Sequence, residues 1–374
     1  MSREELEFLV SRHFTHALTY EDENLVEFLV DPLPGLTDDE AFSEVYNALV
    51  PKGYSVVLFS SKGMRFLRVS KRASTPRETF NRFMIMLFAT VASVAVTGYF
   101  TLSNYNATVS ALNRSFGAGV PYIDPILGTA AFVAGVMTPL MGHELSHYIA
   151  SRRAGVPVTY PLPIPAPIVS PVGTFGAFIR SYHPPKDVKS LALVGISGPL
   201  AGVLLSIVLY IFSYISSPTI PVEVAQAALE ADLIRELGVV PSLTLLIDQL
   251  LKVEGVVLLS PIALAAWFLL LVHFANLMPI GQLDGGHVMR SLTNVRAHSI
   301  LSMTVITVSI ITSIIVPNLI WLGIFAVIAL LISGRGPHYG AANTLSKLSG
   351  RDKVLYGTTY LILLFLTLPL PVVV

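Results

Sequence analysis

Gly142-His143-Glu144-Leu145-Ser146-His147-Tyr148-Ile149-Ala150 closes a stretch that carries no charged residue from Pro125 to Gly142. An apolar run of that length crosses about 30 Å of hydrocarbon as a helix. The segment therefore reads as a transmembrane helix from Pro125 to Ala150 with three ionisable side chains near one end. Residues four apart share a helix face, so His143 and His147 stand side by side with Glu144 flanking them. An isolated HExxH is often a chance match whose histidines are ordinary polar contacts. Here burying two imidazoles and a carboxylate in a membrane helix is costly unless they coordinate or pair, which favours a metal site. At 1.5 Å per residue, the eight residues from His143 to Ser151 set that site about 12 Å below the boundary.

Outward from this helix the same composition recurs. Hydrophobic residues make up 53% of the 374-residue chain and charged residues 13%, with a mean hydropathy of +0.68, far from soluble usage. Spans are expected at Phe83 to Leu102, Pro125 to Ala150, Ser190 to Tyr214, Gly255 to Ala275, Ile300 to Val316, Leu319 to Ser333 and Leu355 to Val374. The fold class expected is mainly α, a polytopic bundle of about seven spans. Alternating the sides places fifteen Lys and Arg between Lys71 and Lys353 on one face and only Arg114, Arg235 and Lys252 on the other. By the positive-inside rule the N-terminal part is cytoplasmic and the C-terminus outside. Lys+Arg and Asp+Glu both total 24, which argues against a nucleic-acid partner. The charged start, Ser2-Arg3-Glu4-Glu5, gives no sign of a cleavable signal peptide.

Residues 1–80 form a separate domain in this reading, and residues 81–374 the membrane domain. Leu25 to Val30 reads as a strand, Asp38 to Leu49 as an amphipathic helix, and Tyr54 to Val69 as a hairpin around Ser60-Ser61-Lys62-Gly63. Together they suggest a small soluble α+β module. A basic linker with Pro76 follows, suited to the membrane surface.

Between Val156 and Ile179 six prolines precede Gly173-Thr174-Phe175-Gly176. Such proline density blocks a helix. An extended re-entrant loop or short sheet at a functional cleft is favoured over a cytoplasmic Pro-rich loop, because non-helical backbone at membrane depth must be covered by protein or line a wet cavity. Its edge, with Gly173, Thr174, Phe175 and Gly176, is the candidate substrate-binding segment, since an unwound peptide can pair with a strand edge. Arg180, His183 and Lys186 are candidates for the mouth of a water path, or simple interface anchors.

With no cysteine, thiolate ligation is excluded, and a catalytic zinc needs a third imidazole or carboxylate ligand plus an open position. Asp284 is the candidate, in Asn276-Leu277-Met278-Pro279-Ile280-Gly281-Gln282-Leu283-Asp284-Gly285-Gly286-His287, where proline and glycines break a span. A plain turn at the membrane interface is the alternative for this stretch. His273 and His287 are lesser candidates, more in keeping with supporting or packing roles.

These elements resemble the site-2 protease family of intramembrane zinc metalloproteases. The family's HExxH corresponds to His143 to His147, its NxxPxxxxDG to Asn276 through Gly285, and its small-residue segment to Gly195-Ile196-Ser197-Gly198-Pro199-Leu200-Ala201-Gly202. The Gly173 to Ile179 pattern and the Pro-rich closing helix resemble the branch without a PDZ domain, which includes the plastid EGY-type proteases. The likeness covers roughly residues 80–374 and implies one zinc held by His143, His147 and Asp284. It implies Glu144 as general base and acid, Asn276 at the substrate or developing oxyanion, and a transmembrane protein in the lipid bilayer as substrate. On the residues alone Asn276 reads equally as a buried amide bonded to a neighbouring helix, and the Gly195 to Gly202 run as helix packing.

Intramembrane His, Glu and Asp also mark ion or metal transporters, but the unlike halves of this chain lack the paired repeats common there. An inactive metal-binding scaffold is the third reading, against which no expected catalytic position is substituted. Asn106-Ala107-Thr108 and Asn113-Arg114-Ser115 are sequons on an expected outer loop. An acidic amphipathic helix is expected around Val224 to Leu237.

Overall fold

The computed structural model describes residues 3–71, 80–333 and 338–372. The linker expected around Pro76 lies outside these residues, as do the last two residues of the expected closing span. The N-terminal part runs α1 (Arg3–Ser11), β1 (Phe14–Glu21), β2 (Leu25–Pro32), α2 (Asp38–Leu49), β3 (Tyr54–Ser61) and β4 (Met64–Lys71). Its strands form one antiparallel sheet in the order β1-β2-β4-β3. The strand, the helix and the hairpin read from the sequence are all present. Helix α2 starts after Thr37 because of a reciprocal cap. Glu40 N–H donates to Thr37 Oγ1 at 3.2 Å and Thr37 N–H donates to Glu40 Oε2 at 2.9 Å, satisfying two otherwise orphaned donors. Its apolar face, with Phe42, Val45 and Tyr46, is buried against Phe14, Phe28, Leu58 and Leu67.

A distant residue, Ala342, joins that core. Leu58 N–H donates to Ala342 O at 3.0 Å and Thr344 N–H to Leu58 O at 2.9 Å, so residues 342–344 pair with the free edge of β3.

The remainder is mainly helical: α3 (Phe80–Phe116), α4 (Pro125–Arg153), β5 (Leu162–Pro165), β6 (Thr174–Phe178), α5 (Val188–Ile215), β7 (Thr219–Ile220), α6 (Val222–Glu230), β8 (Val239–Pro241), α7 (Ser242–Leu251), β9 (Val256–Val257), α8 (Pro261–Leu277), α9 (Asp284–Leu292), α10 (Val295–Ile315), α11 (Ile320–Ser333), α12 (Gly350–Thr367) and β10 (Pro369–Pro371). Helix α5 is the hub, packing on α4, α8, α9 and α12. Among the described residues, α3, α4, α5 and α10 are long and apolar enough to cross a membrane.

The other three expected spans are shorter or carry charge, for identifiable reasons. Helix α8 has 17 residues and begins at Pro261, not Gly255, because Val256–Val257 pairs with Thr219–Ile220 as a small antiparallel ladder. Ser260 then caps it, its hydroxyl accepting from Ala263 N–H. Helix α11 has 14 residues after a 3₁₀ turn at Pro317–Leu319. Helix α12 opens with Arg351, Asp352 and Lys353 in its first turn and stops at Thr367. Pro369 and Pro371 cannot continue a helix, and this end pairs as a strand with Val239–Pro241.

Two further expectations are corrected. Asn106 and Asn113 lie within α3, not in a loop. Each amide clamps the following segment: Asn106 Nδ2 donates to Ile123 O while its Oδ1 accepts from Ile123 N–H, and Asn113 makes the same pair of bonds with Val120. The acidic helix is shorter than expected, ending at Glu230, with Asp232 at φ 53° beyond it.

Candidate metal centre

Two helix ends and one broken turn build the centre. Helix α4 carries His143, Glu144 and His147 over its last turns, with His143 and Glu144 buried. After α8 the chain turns at Pro279 and Gly281, and α9 starts at Asp284, so the carboxylate sits at a helix N-terminus, where the dipole favours a negative charge. The turn is tight enough that a Cβ at Gly285 would overlap Leu277 O, and one at Gly286 would overlap Gly281 O. It is also pinned from outside, by Tyr360 Oη donating to Leu277 O at 2.8 Å and Gly281 N–H donating to Ser302 Oγ at 3.0 Å.

His143, His147 and Asp284 converge. His143 Nε2 and His147 Nε2 are 3.1 Å apart, His143 Nε2 is 3.2 Å from Asp284 Oδ2, and His147 Nε2 is 3.2 Å from Asp284 Oδ1. Zinc bonds of 2.0–2.1 Å at tetrahedral angles separate ligand atoms by about 3.3 Å, so the three donors stand at the spacing one ion requires. Among the described residues this is the only such group of three. The donor chemistry agrees. His147 Nδ1 lies 2.8 Å from Val194 O, and a carbonyl only accepts, so Nδ1 holds the proton and Nε2 presents its lone pair to the centre. Among the described residues the buried Asp284 Oδ2 has no hydrogen-bond donor, as expected of an oxygen reserved for a cation. The residues fit zinc.

Over residues 131–317 the sequence matches Peptidase family M50. The chain belongs to that family. Family M50 membership, with a site set for zinc as in a zinc metallopeptidase, disfavours the ion-transporter reading. A probable zinc metalloprotease EGY2, chloroplastic, from Oryza sativa subsp. indica is 29% identical over 165 residues, 44% of this chain and 29% of that protein. The EGY2 protein of Arabidopsis thaliana is 28% identical over 151 residues, 40% of this chain and 26% of that one. A probable zinc metalloprotease EGY1, chloroplastic, from Oryza sativa subsp. japonica is 28% identical over 176 residues, 46% and 29%. The chain thus spans less than a third of the length of these relatives. No solved structure matches it.

Within the M50 match, Asn276 lies near the end of α8, half-buried; among the described residues its amide has no hydrogen-bond partner. His273 is buried and stacks on His143, with ring centroids 5.2 Å apart and planes 12° from parallel; it is a packing neighbour, not part of the trio. His287 also lies outside the trio. The Pro-rich segment forms the β5–β6 hairpin, packed beside α3 and α4. Gly173 sits at φ 79°, and a Cβ there would come 2.7 Å from Val94 Cα of α3. Ser93 Oγ donates to Gly173 O at 2.6 Å, and Thr174 Oγ1 to Ile164 O at 2.7 Å. Those two residues anchor the hairpin, whereas Phe175 is exposed and Gly176, φ 94°, has open space around it. His183 is not a free residue at a water path. It is buried, and its Nε2 accepts from Val56 N–H of β3 at 3.1 Å.

Helix α5 contributes more than packing. A Cβ at Gly198 would overlap the His147 ring, and one at Gly202 would overlap His273 and press on His143. The small-residue run is the seat into which the histidine rings fit, and Val194 of the same helix orients one of them. Its spacing at 194, 198 and 202 on one helix face is the available signal.

Proposed function

We propose that the protein is an intramembrane zinc endopeptidase that hydrolyses peptide bonds of transmembrane proteins, the chemistry of regulated intramembrane proteolysis. The carrying observation is the trio His143, His147 and Asp284 at zinc spacing, with a buried carboxylate, Glu144, on the same helix. When bound, zinc supplies Lewis acidity that makes a water nucleophilic near neutral pH. Glu144 takes the proton of the attacking water as its oxygen bonds to the scissile carbonyl carbon. It returns that proton to the departing nitrogen as the C–N bond breaks, leaving a carboxylate and an amine. Asn276, with its amide unengaged, offers an N–H to the carbonyl oxygen as charge develops there.

In this proposal residues 1–80 are a cytoplasmic α+β domain and residues 81–374 the peptidase domain. The shorter helices α8, α11 and α12 join α3, α4, α5 and α10 to give about seven crossings, with the C-terminus outside. The positive-inside distribution of Lys and Arg supports that orientation. The β5–β6 hairpin is re-entrant, and its edge near Gly173, Thr174, Phe175 and Gly176 receives an unwound substrate.

The test is cleavage of a membrane-embedded peptide by the purified full chain. Glu144→Gln should lower the rate by at least about a hundredfold while zinc content stays at the wild-type level. Equal cleavage by Glu144→Gln would remove the proposed base.

A further inference from the structure

The strap at residues 338–345 links the N-terminal sheet to the turn of the metal carboxylate. At its near end His338 is buried. Gly340 N–H donates to His338 Nδ1 at 2.9 Å, so the ring proton must sit on Nε2, which lies 2.7 Å from His287 Nδ1. His338 therefore donates to His287, whose own proton is fixed on Nε2. The two rings meet edge to face, with centroids 4.8 Å apart. His287 stands one helical turn beyond Asp284, and α5 accommodates both: a Cβ at Gly195 would come 2.8 Å from His287 Cβ and 3.1 Å from Asp284 O. His287 and Gln282 also line a cavity of about 400 Å³ that reaches to His183 and His338. Among the described residues His287 Nε2 has no hydrogen-bond partner.

At its far end the strap is held on both sides. Besides its pairing with β3, Ala342 N–H donates to Pro185 O at 2.8 Å and Asn343 N–H to Lys186 O at 2.9 Å. The fully buried Asn343 side chain fixes the register, its Nδ2 donating to Asp39 Oδ1 of α2 at 2.7 Å and its Oδ1 accepting from Leu345 N–H at 3.0 Å.

We propose that His287 binds the extended substrate by donating its Nε2–H to a peptide carbonyl in this cavity. In that arrangement His338 is the positioning residue that fixes the tautomer, and the N-terminal domain is the clamp that holds the strap through Asn343 and Asp39. The inference rests on the peptidase reading above and gives the N-terminal domain a part in substrate binding.

The experiment uses the full chain with a transmembrane peptide in micelles, reading kcat and KM, zinc content and hydrogen exchange of the 340–346 amides. Asn343→Asp sets a second carboxylate against Asp39, so it should speed exchange across the strap and lower kcat/KM about tenfold with zinc unchanged. Adding Asp39→Asn restores an amide–carboxylate pair of reversed polarity, and should bring both exchange and kcat/KM back to within about threefold of wild type. His338→Ala should also cost about tenfold, carried mainly by KM, whereas His338→Gln, with an amide nitrogen placed to donate to His287, should recover most of it. Wild-type kcat/KM in His338→Ala, or a doubly exchanged chain that binds zinc and protects its strap yet stays as slow as Asn343→Asp, would overturn the proposal. If wild type itself cleaves nothing, the peptidase reading fails; if wild type cleaves and these variants match it, the role of His287 and its clamp fails while the peptidase reading stands.

Discussion

The N-terminal sheet and the helical bundle treat polar side chains in opposite ways. In the N-terminal domain, ion pairs such as Arg3–Glu7 of α1 and Arg65–Asp31 of the sheet lie at the surface, where each is worth little, and stability comes from a conventional apolar core. In the bundle, the polar groups at His143, His147 and Asp284 are few and buried or half-buried, and each is oriented by another group: Val194 O for His147, the pinned turn for Asp284, glycines for the rings. Substitutions in the bundle should therefore fail through geometry, and those in the sheet through packing and charge.

The largest separation of the two regions is expected from Gly198→Ala. One methyl group displaces the His147 ring, so zinc content should fall to about a tenth of wild type while the helical circular-dichroism signal is kept. A full zinc equivalent in that variant would show that the ring has another place to go. In the sheet, Phe42→Ala removes a ring that is 1% exposed and should cost about 3–5 kcal/mol. A denaturant titration should show an early transition of the N-terminal part, with zinc retained until the bundle unfolds. Simultaneous loss of both signals would erase the contrast.

The smallest effect is one of charge. Burial raises the Asp39 carboxyl above its ordinary value, and the nearby Asp187 and Asp38 push the same way, against hydrogen bonds from Ser346 and Asn343. A carboxyl raised on folding favours its protonated form in the folded chain. Its contribution is fully present below the ordinary carboxylate range and is lost as pH rises through the folded value. Asp39→Asn should thus raise the melting temperature at neutral pH, with the gain closing under acidic conditions. A gain independent of pH would assign the effect to something other than ionisation.

What could be read in advance follows the same division between local and distant determinants. Helix α2 is bounded by Thr37 and Glu40, three residues apart, and α4 announces itself by an uncharged run behind Asp124 and Pro125; both are local signals. The start of α8 was misplaced because the strand pairing of Val256–Val257 depends on Thr219–Ile220, some 35 residues earlier. The ends of α12 and of the strap depend on partners farther off still. At the centre, HExxH and the Asp-Gly-Gly break carry their chemistry in their spacing. The Gly198 and Gly202 seats do not, since small residues look the same whether they admit a helix or an imidazole.

Zinc analysis of the purified wild type beside Asp284→Ala bears most directly on the central claim, that two stretches about 140 residues apart grip one ion. The wild type should hold about one zinc per chain and the variant less than about a tenth of that, with its helical content intact. A full equivalent of zinc in Asp284→Ala would contradict the three-ligand centre.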